Sequence, residues 1–225
     1  RSIGFKSLPT FELELTAGVI RRRFACGTDL RSGRIAEMEL AQDKSGIATG
    51  IAVVAENAAD GTAREALLDR AMGPGRKRKS SEMLRRGRRP SEGLAFVARD
   101  QAGALIGTVR LWDVVLGEGG AAALLLGPLA VEPSLKGTGV GSALMQCAIA
   151  EAARLGHRAI LLVGDEPYYQ RFGFSSEKTG RLAMPGPYER HRFLALELAE
   201  GALDGAVGTL KAAGRKSRPD KPEAA

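Results

Sequence analysis

The sequence predicts a mixed α/β fold built around one principal domain, on three observations. Short apolar runs of strand length alternate with segments of helical period. A longer apolar strand, Ala122 to Val131, is interrupted by Gly127-Pro128. Directly after it, a glycine-rich turn opens a strongly amphipathic helix. With 225 residues, 44% of them hydrophobic, the chain is long enough to bury a real core.

The elements follow in order. Residues 1–49 carry scattered charge and no steady period, so a poorly ordered extension is expected there. The domain is expected over 50–200. Ile51 to Ala55 is a first strand. Asp60 to Met72 has helical spacing at Ala63, Ala66, Leu67 and Ala71, with Asp60 as expected N-cap. A short helix around Ser80 to Arg86 follows. Leu94 to Arg99 and Leu105 to Val115 read as strands turning at Gly103. In Ala122 to Val131, proline inside a strand implies a bulge or splay. Val140, Leu144, Cys147, Ala148, Ala152 and Leu155 share one helix face, which Glu151 borders on the solvent side, and Gly156 ends that helix. Ala159 to Val163 is a buried strand, Glu166 to Phe172 a short helix, and Phe193 to Leu198 a closing strand. Residues 201–225, with unpatterned Lys, Arg, Pro and Ala from Lys211 on, are expected to be a flexible basic tail.

Charge is concentrated in one place. Between Gly75 and Pro90 there are eight Lys and Arg and one acid, Glu82, a formal +7 that equals the charge of the whole chain. The segment has no aromatic residue between Arg76 and Arg89, which argues against single-stranded nucleic acid. It suits a small anion, and mutual repulsion implies mobility when no anion is bound. The two cysteines, Cys26 and Cys147, and two histidines, His157 and His191, form no metal-binding spacing, so no metal is expected. No uninterrupted apolar stretch of roughly 18 residues exists, so no membrane span is expected. Arg1 to Leu30 lacks signal-peptide order, and a cytoplasmic location is expected.

The chemistry-bearing stretch is Leu129-Ala-Val-Glu-Pro-Ser-Leu-Lys-Gly-Thr-Gly-Val-Gly-Ser142. A strand meets a turn with Gly137, Gly139 and Gly141, and a helix leaves at once. Free amides at a helix start, with the helix dipole, make an anion site suited to a pyrophosphate. It is not the NTPase phosphate loop, since no Lys-Ser or Lys-Thr follows Gly141. Nor is it the dinucleotide fingerprint, since the third glycine comes one residue early. A second stretch follows: Gly164-Asp-Glu-Pro-Tyr-Tyr-Gln-Arg-Phe-Gly-Phe174.

With both stretches in this order, Ile51 to Leu198 resembles the GNAT superfamily of N-acetyltransferases, in a bacterial branch. The resemblance implies a mixed, largely antiparallel central sheet with a splayed fourth strand, flanked by helices. It implies acetyl-CoA as co-substrate and an amine-bearing small molecule or peptide as acceptor, and it leaves room for a homodimer. By resemblance, Lys136, Gly137, Thr138, Gly139, Val140, Gly141 and Ser142 hold the CoA pyrophosphate, with Lys136 where the family has Gln or Arg. Leu129, Ala130 and Val131 would pair with the pantetheine arm, one N–H serving the thioester oxyanion. Tyr169, four residues before Gly173, would be the acid at the leaving sulfur, and Tyr168 would pack inside.

The fourth strand contains no acid, where family members often place a general base. Asp113, Glu118 and Glu166 are candidates that read equally as surface acids. A catalytically weak acyl-CoA sensor is therefore the alternative reading. A phenol of pKa about 10 protonates a thiolate of about 8.5 uphill by roughly 2 kcal/mol, a small part of a catalytic barrier.

Overall fold

The computed structural model describes residues 50–217; the expected extension over 1–49 lies outside them. β1 (Ala52–Ala55) leads to α1 (Gly61–Met72), then α2 (Ser80–Arg85) and the strands β2 (Ala95–Arg99), β3 (Leu105–Val115) and β4 (Ala122–Val131). α3 (Val140–Arg154), β5 (Ala159–Val163), α4 (Glu166–Tyr169), β6 (Arg181–Ala183), β7 (Phe193–Glu197), β8 (Val207–Thr209) and β9 (Lys211–Ala212) follow. The main sheet has the order β1-β2-β3-β4-β5-β7, with β9 added to β3. Its pairings are antiparallel except β4 with β5.

Each sheet face buries its own core. Phe96, Val109, Leu111, Leu124 and Leu126 pack with Leu144, Met145 and Ala148 of α3. On the other face lie Trp112, Val114, Leu125, Leu161 and Phe193 with Leu84 of α2. Nearby, Leu67 and Leu68 of α1 cover Ala130. The α3 helix comes this close because β3 carries Gly107. A Cβ there would stand 2.8 Å from Leu144 Cδ1 and 3.0 Å from Val140 Cγ1.

The proline interruption does what its chemistry requires. Val109 pairs with Leu129 and Leu111 with Leu126, so one residue of β3, Arg110, faces two of β4, Gly127 and Pro128. The extra residue inverts the alternation. Leu124 and Leu126 face α3 before the bulge, and Leu129 and Val131 face it after, while Ala130 turns to α1. The Trp112 indole N–H donates to the Gly127 carbonyl and satisfies a group the ladder has lost. Arg110, opposite the bulge, donates with Arg64 to the buried Glu56 carboxylate.

Several expectations are corrected. Asp60 does not cap α1 through its side chain. Asn57 caps the preceding turn, and the Asp60 carboxylate accepts from the Asn57 amide at 2.9 Å and pairs with Arg99. Glu151 is buried at 8% exposure, paired with Arg154 rather than facing water. The expected tail is no tail through Ser217. β8 pairs with β6, β9 pairs with β3, and Leu210 between them is 1% exposed. The basic segment is folded too. Arg76 is held by Glu65 and Asp69 at 2.5 and 2.7 Å, both acids from α1 outside the segment. Arg88 donates to the Gly214 carbonyl and pairs in a bridge with Lys216. No helix among the described residues is long and apolar enough to cross a membrane.

Replacing Gly107 by Ala should destabilise the fold by about 1–3 kcal/mol through overpacking against Val140 and Leu144. Urea unfolding should show a lower midpoint with an unchanged slope; an unchanged midpoint would show that α3 can withdraw without cost.

Candidate active site

The glycine turn leaves its amides exposed for conformational reasons. Gly137 and Gly139 have φ of 89° and 94°, the left-handed region that glycine enters without cost. Lys136, Gly137, Thr138 and Gly139 are all exposed. The Thr138 hydroxyl donates to the Leu135 carbonyl at 2.7 Å and tightens the turn. The first α3 amide with an i−4 acceptor is that of Ala143, bonded to Gly139 at 3.0 Å. The N–H groups of Val140, Gly141 and Ser142 precede it at the positive end of a fifteen-residue helix.

Beside this turn the sheet opens. β4 pairs with β5 only at Leu124–Ile160 and Leu125–Leu161. Beyond the bulge, Leu129, Ala130 and Val131 keep their pairing with β3 but have none with β5. The strands part around a hollow whose wall includes Gly127, Pro128 and Leu129 on one side, Leu162 and Val163 on the other, and Tyr169. Its outer wall comes from the helical elements between β1 and β2: Met72, Arg76, Lys79, Ser81, Glu82 and Arg85. Lys79, Ser81 and Val163 also line a second hollow with Tyr188, Glu189 and Arg192, so the two adjoin.

Two adjacent tyrosines join the turn to the hollow. Tyr168 bonds Ser142 at the start of α3, and its hydroxyl lies 2.7 Å from where a Gly141 Cβ would be. Arg171 stacks 4.1 Å over its ring. Tyr168 thus reaches the glycine turn rather than simply filling the interior. Tyr169, packed edge-on at 4.9 Å from Tyr168, turns to the hollow. Gly164 makes room for it: a Cβ there would fall 2.2 Å from Tyr169 Cε2. Burial pushes the Tyr169 phenol well above the usual tyrosine range, with Tyr168 and Asp165 adding to the effect and Arg192 opposing it.

None of the three acids singled out in the sequence lines either hollow. Glu118 is exposed and paired with Lys211. Glu166 accepts from the Ser176 amide and hydroxyl at 3.0 Å each, a structural clamp. Asp113 pairs with Leu124, on the side of the bulge away from the splay. The sequence pattern gave Glu82 no place in the site, because its approach to the hollow depends on α2 folding over the β4 bulge. Among the described residues no group of three or more His, Cys, Asp or Glu could hold a metal.

The parted β4–β5 pair lies beside an exposed helix start, and the comparisons with known proteins bear on what this arrangement holds. The sequence model of the acetyltransferase (GNAT) domain matches residues 91–176. The chain is 29% identical over 118 residues to the uncharacterized N-acetyltransferase YhbS of Escherichia coli K12, spanning 52% of this chain and 71% of that one. The solved E. coli YhbS, in complex with CoA, superposes with a TM-score of 0.61 at 26% identity, over 72% of this chain and 89% of that one. A Brucella melitensis GNAT acetyltransferase in complex with acetyl-CoA shares the fold at 22% identity, TM-score 0.55, over 72% and 96% of the two chains. Residues 91–176 thus match the acetyltransferase (GNAT) domain, and the chain is similar in sequence and fold to GNAT N-acetyltransferases.

The Tyr169 environment has a measurable consequence. In alkaline ultraviolet titration its phenol should ionise above the ordinary value of about 10, and Tyr169→Phe should delete that step. Because the folded-state value is raised, the unfolded chain ionises first, and the tyrosine's contribution to stability falls as pH rises past about 10. Gly164→Ala, by displacing the ring, should bring the step back toward the ordinary value; a step that stays in place would mean the ring had not moved.

Proposed function

We propose that the protein transfers the acetyl group of acetyl-CoA to the amine of a small molecule or peptide. The observation that carries this is the sequence of surfaces met along one path: exposed glycine-turn amides, the Tyr168–Ser142 contact, then Tyr169 in the hollow beside unpaired β4 backbone. The amides from Lys136 to Ser142 would take the CoA pyrophosphate. Leu129, Ala130 and Val131 would offer their β5-side backbone groups to the pantetheine arm, and one N–H to the oxyanion that forms at the thioester carbon. The acceptor would enter from the α1–α2 side, where Arg76, Lys79 and Arg85 favour an anionic group on it.

Tyr169 supports the departing sulfur as a hydrogen-bond donor. With its phenol pushed up by burial, complete proton transfer is harder than for a free tyrosine, but the group stays protonated throughout the working range. It can donate to a thiolate as charge develops, which favours the transition state over bound substrate.

Acetyl-CoA should raise the melting temperature by linkage. Gly139→Asp should abolish the rise, because it brings negative charge to the anion site and strains a turn whose φ of 94° favours glycine. A rise of unchanged size in that variant would remove the pyrophosphate assignment. Tyr169→Phe should lower kcat by about 10-fold or more while leaving acetyl-CoA affinity nearly intact. Equal loss in binding and turnover would point to packing instead of a role at the sulfur.

A further inference from the structure

Aminolysis of a thioester needs a group that takes a proton from the acceptor nitrogen, and β4 supplies none. Among the described residues lining the hollow that holds Tyr169, one has a carboxylate, Glu82 of α2. Its side chain is 25% exposed, so it reaches both the hollow and solvent. Arg85, one turn further on the same helix, holds it at 3.2 Å from Oε2. That guanidinium is itself 9% exposed; it also donates to Ser81 Oγ at 3.3 Å, and its Nε is buried without a partner. The other charged or titratable groups lining this hollow are Arg76 and Lys79 from the turn before α2, and Tyr169 across it. Arg110 of β3 acts on Arg85 from beneath and, with Arg76, adds to the lowering that burial imposes on Arg85. Glu82 and Tyr169 thus line one hollow, a proton acceptor and a hydrogen-bond donor in the same space, with Arg85 holding the carboxylate.

We propose that Glu82 is the general base of acetyl transfer, with Arg85 as its positioning residue; this rests on the acetyltransferase reading above. The ammonium acceptor first gives one proton to Glu82, which passes it to water. Its free nitrogen then attacks the thioester carbon, forming the C–N bond and moving the carbonyl π pair onto oxygen. The nitrogen, now positively charged, gives its second proton to Glu82. The oxyanion collapses, the C–S bond breaks, and the thiolate leaves with the electron pair, hydrogen-bonded to Tyr169 and finally protonated by solvent. Glu82 returns its proton to water. The sum is an amide, free CoA thiol and one released proton.

A base of this kind matters most for acceptors that are strongly basic, because their nitrogen holds its proton hardest. The test gives the protein acetyl-CoA and, in separate reactions at pH 7, a primary alkylamine, which is protonated at that pH, and an arylamine, which is not. Acetylated amine is measured by mass spectrometry. Glu82→Gln should lower the alkylamine rate by about 100-fold or more, the usual worth of a general base, and the arylamine rate far less. Equal loss on both amines, or no loss on either, overturns the assignment. Because glutamine leaves Arg85 buried without its carboxylate, the double variant Glu82→Gln with Arg85→Met repeats the comparison without that charge. In each variant the acetyl-CoA-induced rise in melting temperature reports an intact donor site. If the unaltered protein acetylates neither amine, the acetyltransferase reading fails first and the base fails with it.

Discussion

The site depends on a local mismatch, in which two residues of β4, Gly127 and Pro128, are accommodated against one of β3, Arg110. One extra residue reverses which side chains face α3 and turns the strand away from β5 after only two paired positions. Backbone groups that a regular sheet would consume are left at the edge of a hollow. Leaving polar groups unpaired inside a protein is costly, and the surroundings limit the cost. Trp112 satisfies the Gly127 carbonyl, and Arg110 beside it is anchored by Glu56. The bulge is thus stable as a shape while its β5-facing edge stays open to a ligand.

Electrostatics around the hollow follow a similar division. The basic segment was expected to repel itself into mobility and is instead folded, with Arg76 drawing on Glu65 and Asp69 of α1 and Arg85 on Glu82. Such pairs contribute little each when exposed, but Arg76 is largely covered and its two partners come from one helix face. Arg85 is different. It is buried with a single carboxylate close by, and burial lowers its affinity for a proton. A guanidinium in that position fixes the geometry of Glu82 more than it adds stability.

The fold was legible wherever a periodicity had one face to bury. β3 and β4 run over the residues their apolar pattern marked, and α3 begins where the glycine turn ends. The pattern failed where burial was not local. Residues 207–212 contain few apolar side chains, and only their pairing with β6 and β3, around the buried Leu210, makes them strands. Glu151 looked solvent-facing because helical phase places it at a boundary, which Arg154 then covers. In the site, glycine and tyrosine motifs were readable because backbone conformation constrains them directly. The carboxylate that shares the hollow with Tyr169 was not, since Glu82 and Tyr169 are far apart in sequence and line one hollow only through packing of α2 over the sheet.

The attachment of Arg88 to residues 214 and 216 spans 126 positions for its bond to Gly214. The α2 wall of the hollow is thus held from outside by residues 214 and 216, which do not line it. A change near the end of the described chain can therefore alter the hollow without touching its lining.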